Sequence, residues 1–258
     1  MTEHGYFGPD SVSWLVHREV TTMVGGLRAL LLQALHPQAM ALLAARSDYQ
    51  QDPWPRLWRT AEYVATITFG SIEEADAAAL RVRTVHERLG IDDAEQLAWV
   101  HACEVDSFLA AATASGLRFD ADAYLLEQRT AADLVGVPYS LVPTSTAQLA
   151  GYFTAVRPQL ALTRQARDAA RVVLVPPLPI PARFVLPARL GWTAVAALSV
   201  GLLPGWARRL YRLPSLPGSG IATTTGLRTL RVASSALPAS LREGPAYRRA
   251  KVRLAATR

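Results

Sequence analysis

The chain holds one cysteine, Cys103, in 258 residues. No intramolecular disulfide can form, and a structural zinc site built on thiolates is excluded. Lysine is as scarce: Lys251 stands alone, and the rest of the 27 basic residues are arginine. The N-terminal run from Met1 to Tyr6 has neither a charged n-region nor an apolar h-region, so no signal peptide is read there. With the single thiol, this points to a reducing, cytoplasmic compartment. Alternating apolar and polar residues never persist for more than a few positions, which leaves little for a sheet.

Compact catalytic signatures are missing too. No histidine has a glutamate three residues before it, as a di-iron carboxylate bundle requires; His101-x-x-Glu104 runs in the reverse order and occurs once. His-Glu-x-x-His, Gly-x-Ser-x-Gly, Gly-x-Gly-x-x-Gly and the P-loop are absent. Zinc proteases, serine hydrolases and nucleotide-cradling enzymes thereby lose their usual handles.

What is present is apolar mass: 50% of residues are hydrophobic and 19% charged. That exceeds an average soluble domain and calls for a large core, a lined apolar pocket or a membrane-facing patch. The length suits one domain. Charge is uneven. From Pro204 onward there are 11 basic residues against Glu243 alone, whereas positions 1–203 carry 16 basic and 20 acidic residues. This is either a cationic segment for an anionic lipid surface or a solvated arginine-rich helix face; nucleic acid is not the expected partner.

The periodicity is helical throughout. Ser11 caps a first helix. Gly25-Gly26 either interrupts the next one or admits another backbone closely, and His36-Pro37 breaks it. Asp52-Pro53 opens a helix to Gly70, and Ser71-x-x-Glu74 is a capping box for one that ends at Gly90. Asp92 or Asp93 opens another that reaches Ser115. Further helices are expected over 120–135, 145–157 and 159–174. The proline-rich stretch from Val175 to Ala182 reads as a strap. Arg189 to Leu203 is apolar but shorter than the ~20 residues that span a bilayer, which favours a buried core helix or an interfacial one. A loop from Ser215 to Gly226 precedes two basic helices.

One constellation carries chemistry. Arg56, Arg59, Thr60 and Tyr63 are three or four residues apart and share one helix face, and the next helix brings Arg83 and His86 at i, i+3. A helical histidine is a common axial ligand for haem iron, and nearby arginines suit propionates. Without Cys-x-x-Cys-His such a haem is non-covalent, hence b-type. A lone helical histidine is also commonly a core residue, so spacing leaves both roles open for His86. His4 is read as terminal and exposed.

Several runs resemble the domain shared by MpaB-type oxygenases and latex-clearing rubber oxygenases. They are Ser13-Trp14 to Arg18-Glu19, Gly25 to Pro37, Asp52-Pro53 with Arg56-Leu57 and Arg59-Thr60, Phe69-Gly70, Val82-Arg83 with His86, and Leu97 to His101 with Asp106-Ser107. Gly136 to Pro138, Val142-Pro143 and Tyr152-Phe153 continue them. The likeness covers most of residues 5–175, with weaker echoes to about 245.

The resemblance implies an all-α single domain: a core over 1–175 with the haem pocket, and a strap, apolar helix and basic helices over 176–258 packed on it. It implies haem b, dioxygen and an apolar, isoprenoid or lipid-like substrate. The proximal iron ligand falls on His86, the distal arginine on Arg56 and the distal threonine on Thr60. The rubber-oxygenase distal lysine is replaced by Arg59, which stays charged and is a poor iron ligand. Arg46-Ser47 stands where the family often has histidine and serine. Arg28 either meets a propionate or pairs with Glu19. His36 and His101, in the strongest runs, either line the pocket or fix helix junctions. The alternatives are a haem or lipid carrier without turnover, and a helical protein that docks on membranes through its basic C-terminal segment.

Overall fold

The computed structural model describes residues 5–46, 52–214 and 217–256; His4, Ser47 and Ser215 lie outside them. The described residues form an all-α architecture with two short 3₁₀ turns and no strand. In chain order the helices are α1 (Val12–His17), α2 (Thr22–Gln33), α3 (Pro37–Arg46), α4 (Trp54–Phe69), α5 (Ile72–Leu89), α6 (Ala94–Ala114), α7 (Ala121–Leu134), α8 (Thr146–Val156) and α9 (Arg164–Leu174). The proline strap then leads to α10 (Ala182–Gly201), α11 (Gly205–Leu210), α12 (Ser219–Ser235), α13 (Ala239–Arg242) and α14 (Pro245–Ala256).

The centre is α6 packed along α2. α6 is apolar almost all round, so it is surrounded: Trp99, Ala102, Cys103 and Val105 are all buried. Close approach to α2 requires Gly25, where a Cβ would come within 2.9 Å of the Ser107 carbonyl oxygen. The Gly-Gly pair therefore does not interrupt α2. Around this pair lie α1 and α7 on one side, and α9, α10 and α12 on the other. α4 and α5 form an antiparallel hairpin that rests on α1 and α14.

Local signals set most helix ends. Ser11, Asp93, Asp120, Ser145 and Thr163 each accept a backbone N–H from the first turn of their helix. Ser71 and Glu74 close the capping box of α5, and Gly90 ends it in the left-handed region at φ 61°.

Three expectations are corrected. The helix expected from 159 starts at Arg164, because Arg157–Gln159 is a 3₁₀ turn and Thr163 is the cap. The Ser215–Gly226 loop is mostly helical, since α12 begins at Ser219. The apolar stretch belongs to a longer helix: α10 runs through Pro187, whose missing N–H frees only the Arg183 carbonyl on an exposed turn. Among the described residues it is long and apolar enough to cross a membrane by length and composition, and it is not a buried core helix, because only 11% of that stretch is buried.

Candidate functional site

The α4–α5 hairpin presents the polar face read from the sequence. His86 lies one turn from the end of α5 and is half-buried. Its Nδ1 is sealed from solvent without a hydrogen-bond partner. Burial lowers its pKa first and the Arg56 guanidinium second, with Asp92 opposing. Both shifts favour the neutral imidazole, the form that binds a metal.

Arg56 on α4 is thus close enough to His86 to act on its charge. Tyr63, two turns along α4, has a buried hydroxyl with no partner, and its pKa is raised by burial and by Glu104 while Arg83 opposes. Arg83 also passes the turn after α7, its Cδ 3.9 Å from where Gly136 would carry a Cβ. Arg59 and Thr60 are exposed on α4. Arg46 donates to the Leu89 carbonyl and so ties α3 to the last turn of α5.

The first turn of α4 is fixed from outside. Trp54 donates Nε1–H to the Pro177 carbonyl at 2.6 Å and meets Trp192 edge-on at 5.2 Å. The proline strap and α10 thus border the end of α4 that carries Arg56.

α6 supplies what the sequence reading left without a role. Glu104 has its pKa raised to about 7 by burial, against a hydrogen bond from Gln33 that lowers it. It acts electrostatically on Tyr63 and on Tyr124. The signal was available, since Glu104 and His101 are polar groups one turn apart within the largely apolar run from Leu97 to Val105. His101 is buried, held neutral with its pKa lowered to about 4, and has no hydrogen-bond partner among the described residues. His17 is partly buried, with its pKa lowered to about 4 by desolvation, Nδ1 at 2.7 Å from Thr68 Oγ1 and Nε2 at 2.9 Å from the Tyr124 hydroxyl.

Two other candidates are engaged in the frame. Arg28 forms a 2.8 Å ion pair with Asp106, donates to Ser107 Oγ at 2.6 Å, and donates Nε–H to the Leu202 carbonyl at 2.9 Å. These partners bind its guanidinium at the junction of α2, α6 and the end of α10. The Arg28–Glu19 pair is not formed, because the turn after α1 directs Glu19 to Arg231 at 3.0 Å. His36 accepts the Ala39 N–H at 3.3 Å, closing the corner into α3, and packs on Trp99 at 5.9 Å. Burial lowers its pKa. A surface cleft of about 550 Å³, lined by Arg167, Arg209, Arg212 and Tyr211 among others, shares no residue with this face.

Comparison with known proteins gives a family match. A family model described as "ER-bound oxygenase mpaB/B′/Rubber oxygenase, catalytic domain" covers residues 14–236. No curated protein and no solved structure matches the chain.

Proposed function

The chain belongs to the mpaB/B′ and rubber-oxygenase catalytic-domain family, and from that premise we propose that it is a haem-b-dependent oxygenase acting on an apolar, isoprenoid or lipid-like substrate. The observation that carries this reading is His86: a neutral imidazole on a helix, with a buried Nδ1 that nothing satisfies and Arg56 beside it. Orphaned buried nitrogens are uncommon in folded proteins and demand an explanation. Haem iron bound at that nitrogen would satisfy it and seat the side chain. Bound there, haem b supplies the redox chemistry by which dioxygen reacts with an unactivated carbon chain.

The protein's own groups have definable tasks in this reading. His86 holds the iron. Burial first and Arg56 second disfavour protonation of that ring, and Arg56 adds a fixed positive charge beside it, which favours a developing negative charge in a water-poor setting. Thr60 and Arg59, further along α4, offer hydroxyl and cationic donors to substrate or dioxygen. Arg83 suits a propionate. Glu104, which acts electrostatically on Tyr63, can hold and release a proton. The carboxyl sits near neutrality, where a general acid or base works best. His101 lines the α6 side as a neutral ring. Arg59 in the lysine position leaves no side-chain amine to cap the iron.

The absorbance spectrum of the purified protein tests the reading. A Soret band is expected, lost in His86→Ala while the far-ultraviolet circular dichroism is unchanged. A colourless, iron-free and fully folded wild type would sink it. Oxygen uptake with a polyprenyl substrate then separates an oxygenase from a carrier that binds haem or lipid without turnover.

A further inference from the structure

α10 is anchored along one side and bare along the other. Its inner face is tied to the body by hydrogen bonds: Ser199 Oγ to the Val24 carbonyl at 2.9 Å, and Trp192 Nε1 to the Val173 carbonyl at 3.0 Å. Arg189 adds a bond to the Pro176 carbonyl in the strap, also at 2.9 Å. Ala196 is buried against the same side. The outer face repeats Leu186, Leu190, Ala194 and Ala197 at three- to four-residue spacing, all exposed, with Phe184 beside them. Leu186 and Leu190 are 68% and 64% exposed, and Val175 in the strap 65%. Scattered apolar side chains on a surface need no explanation, but a continuous helical face does.

Charge identifies the occupant. Between Asp168 and Glu243 there is no aspartate or glutamate, while the same stretch carries nine arginines. Arg183 stands at the N-terminal end of the bare face, its guanidinium 4.7 Å from the Phe184 ring centre. α12 lies against the other end, where Thr223 meets Gly201 and Leu198 meets the Gly226 position. Its exposed side adds Ile221 and Arg228, and no acid. An apolar helical face framed by arginine and aromatic side chains, within an acid-free third of the chain, matches the interfacial zone of an anionic bilayer. Self-association through this face would bring arginine-rich margins together.

We propose that the outer face of α10, with the strap before it, docks on an anionic lipid bilayer and lies in the plane of its surface. The helix does not cross the membrane, because the tethers at Arg189, Trp192 and Ser199 hold its inner side to the strap, α9 and α2. One consequence rests on the oxygenase reading. Trp54 fastens α10 and the strap to the first turn of α4, so docking places Arg56 and Thr60 beside the apolar phase in which an isoprenoid or lipid-like substrate dissolves.

The test uses the full chain with vesicles of phosphatidylcholine alone or mixed with phosphatidylglycerol, read by co-sedimentation. Binding to the mixed vesicles is expected, weakening as salt rises and reversed by alkaline carbonate. The Leu186→Glu/Leu190→Glu double variant should bind ~tenfold more weakly or worse, since it puts two charges on the face that enters the interface. Both side chains are exposed, so its circular dichroism and melting should match wild type. Equal binding by the double variant, equal binding to neutral vesicles, or retention through carbonate extraction, as for a spanning helix, would each overturn the proposal. So would dimerisation abolished by the double variant without vesicle binding. Repeating the assay with His86→Ala separates this question from the haem: docking persists there if α10 carries it, whatever the absorbance spectrum shows.

Discussion

Three ionisable side chains whose pKa values are displaced by desolvation set opposing pH dependences. His17 and His101 have pKa values of about 4 in the folded state. Below the ordinary imidazole value near 6.5, the unfolded chain takes up two protons that the folded chain refuses. Their contribution is therefore complete above about pH 6.5 and is lost as the pH falls toward 4. Glu104 has the opposite sign. With a folded value of about 7, it retains a proton that the unfolded chain has released, so its contribution is present below the ordinary carboxylate value and lost as the pH rises to 7. Between these limits two imidazoles outweigh one carboxyl by one proton, and the lowered His36 and His86 act in the same direction, so stability should rise by at least about 1 kcal/mol per pH unit from pH 4.5 to 6.5. Glu104→Gln removes the opposing proton, so the slope should steepen by about 1 kcal/mol per pH unit in urea unfolding series across that range. An unchanged slope would mean that the Glu104 carboxyl titrates normally. The same variant separates roles at the site: if Glu104 moves protons there, its loss shifts the pH profile of turnover and leaves the Soret band in place.

At the scale of helices, the Gly25-Gly26 pair divides two effects that one sequence signal combined. At Gly25 a Cβ would lie 2.9 Å from the Ser107 carbonyl oxygen and 3.0 Å from Phe108, both on α6, whereas at Gly26 nothing lies within 4 Å. Gly25→Ala should therefore force α2 and α6 apart and cost ~1–3 kcal/mol. Gly26→Ala should be neutral or stabilise by up to ~1 kcal/mol through helix propensity. Thermal melts of the two variants decide this, and equal destabilisation would refute the close approach. The contrast also shows what a sequence exposes. Caps such as Ser71 with Glu74, and stops such as Gly90, act within a few residues and are legible. So was the hairpin face carrying Arg56 and His86, because helical spacing alone places those side chains. What α6 sets against it was not, since only tertiary packing brings Glu104 near enough to act on the charge of Tyr63. Arg28 found Asp106 rather than Glu19 for the same reason: the choice between acids depends on how α1 turns into α2. α10 was underread because Pro187 looks like a boundary unless the exposed turn before it is known.

For the whole molecule, the question is whether the C-terminal helices are part of one cooperative body. α14 covers the α4–α5 end of the core, where Tyr247 packs edge-on against Phe69 at 5.1 Å and Trp14 at 5.7 Å. Ala250 is fully buried, and Arg253 donates to the Phe69 carbonyl at 2.7 Å. This closes a path from the C-terminal end of the chain through the base of the hairpin to α1 and the α6 core. If that path is continuous, a lesion in α14 loosens everything at once. Tyr247→Ala should cost ~2 kcal/mol, short of a fully buried aromatic because Tyr247 is only partly covered. For a chain of this size that lowers the melting midpoint by roughly 4–8 °C. Far-ultraviolet circular dichroism reports all the helices, and tryptophan fluorescence weights the region around Trp14, Trp54 and Trp99. Both probes should move together, because two-state unfolding makes separate signals coincide. An early fluorescence step followed by an unshifted helical transition would show that α14 and the hairpin base melt as a separate unit. The segment holding His86 would then be less stable than the α2–α6 core beneath it.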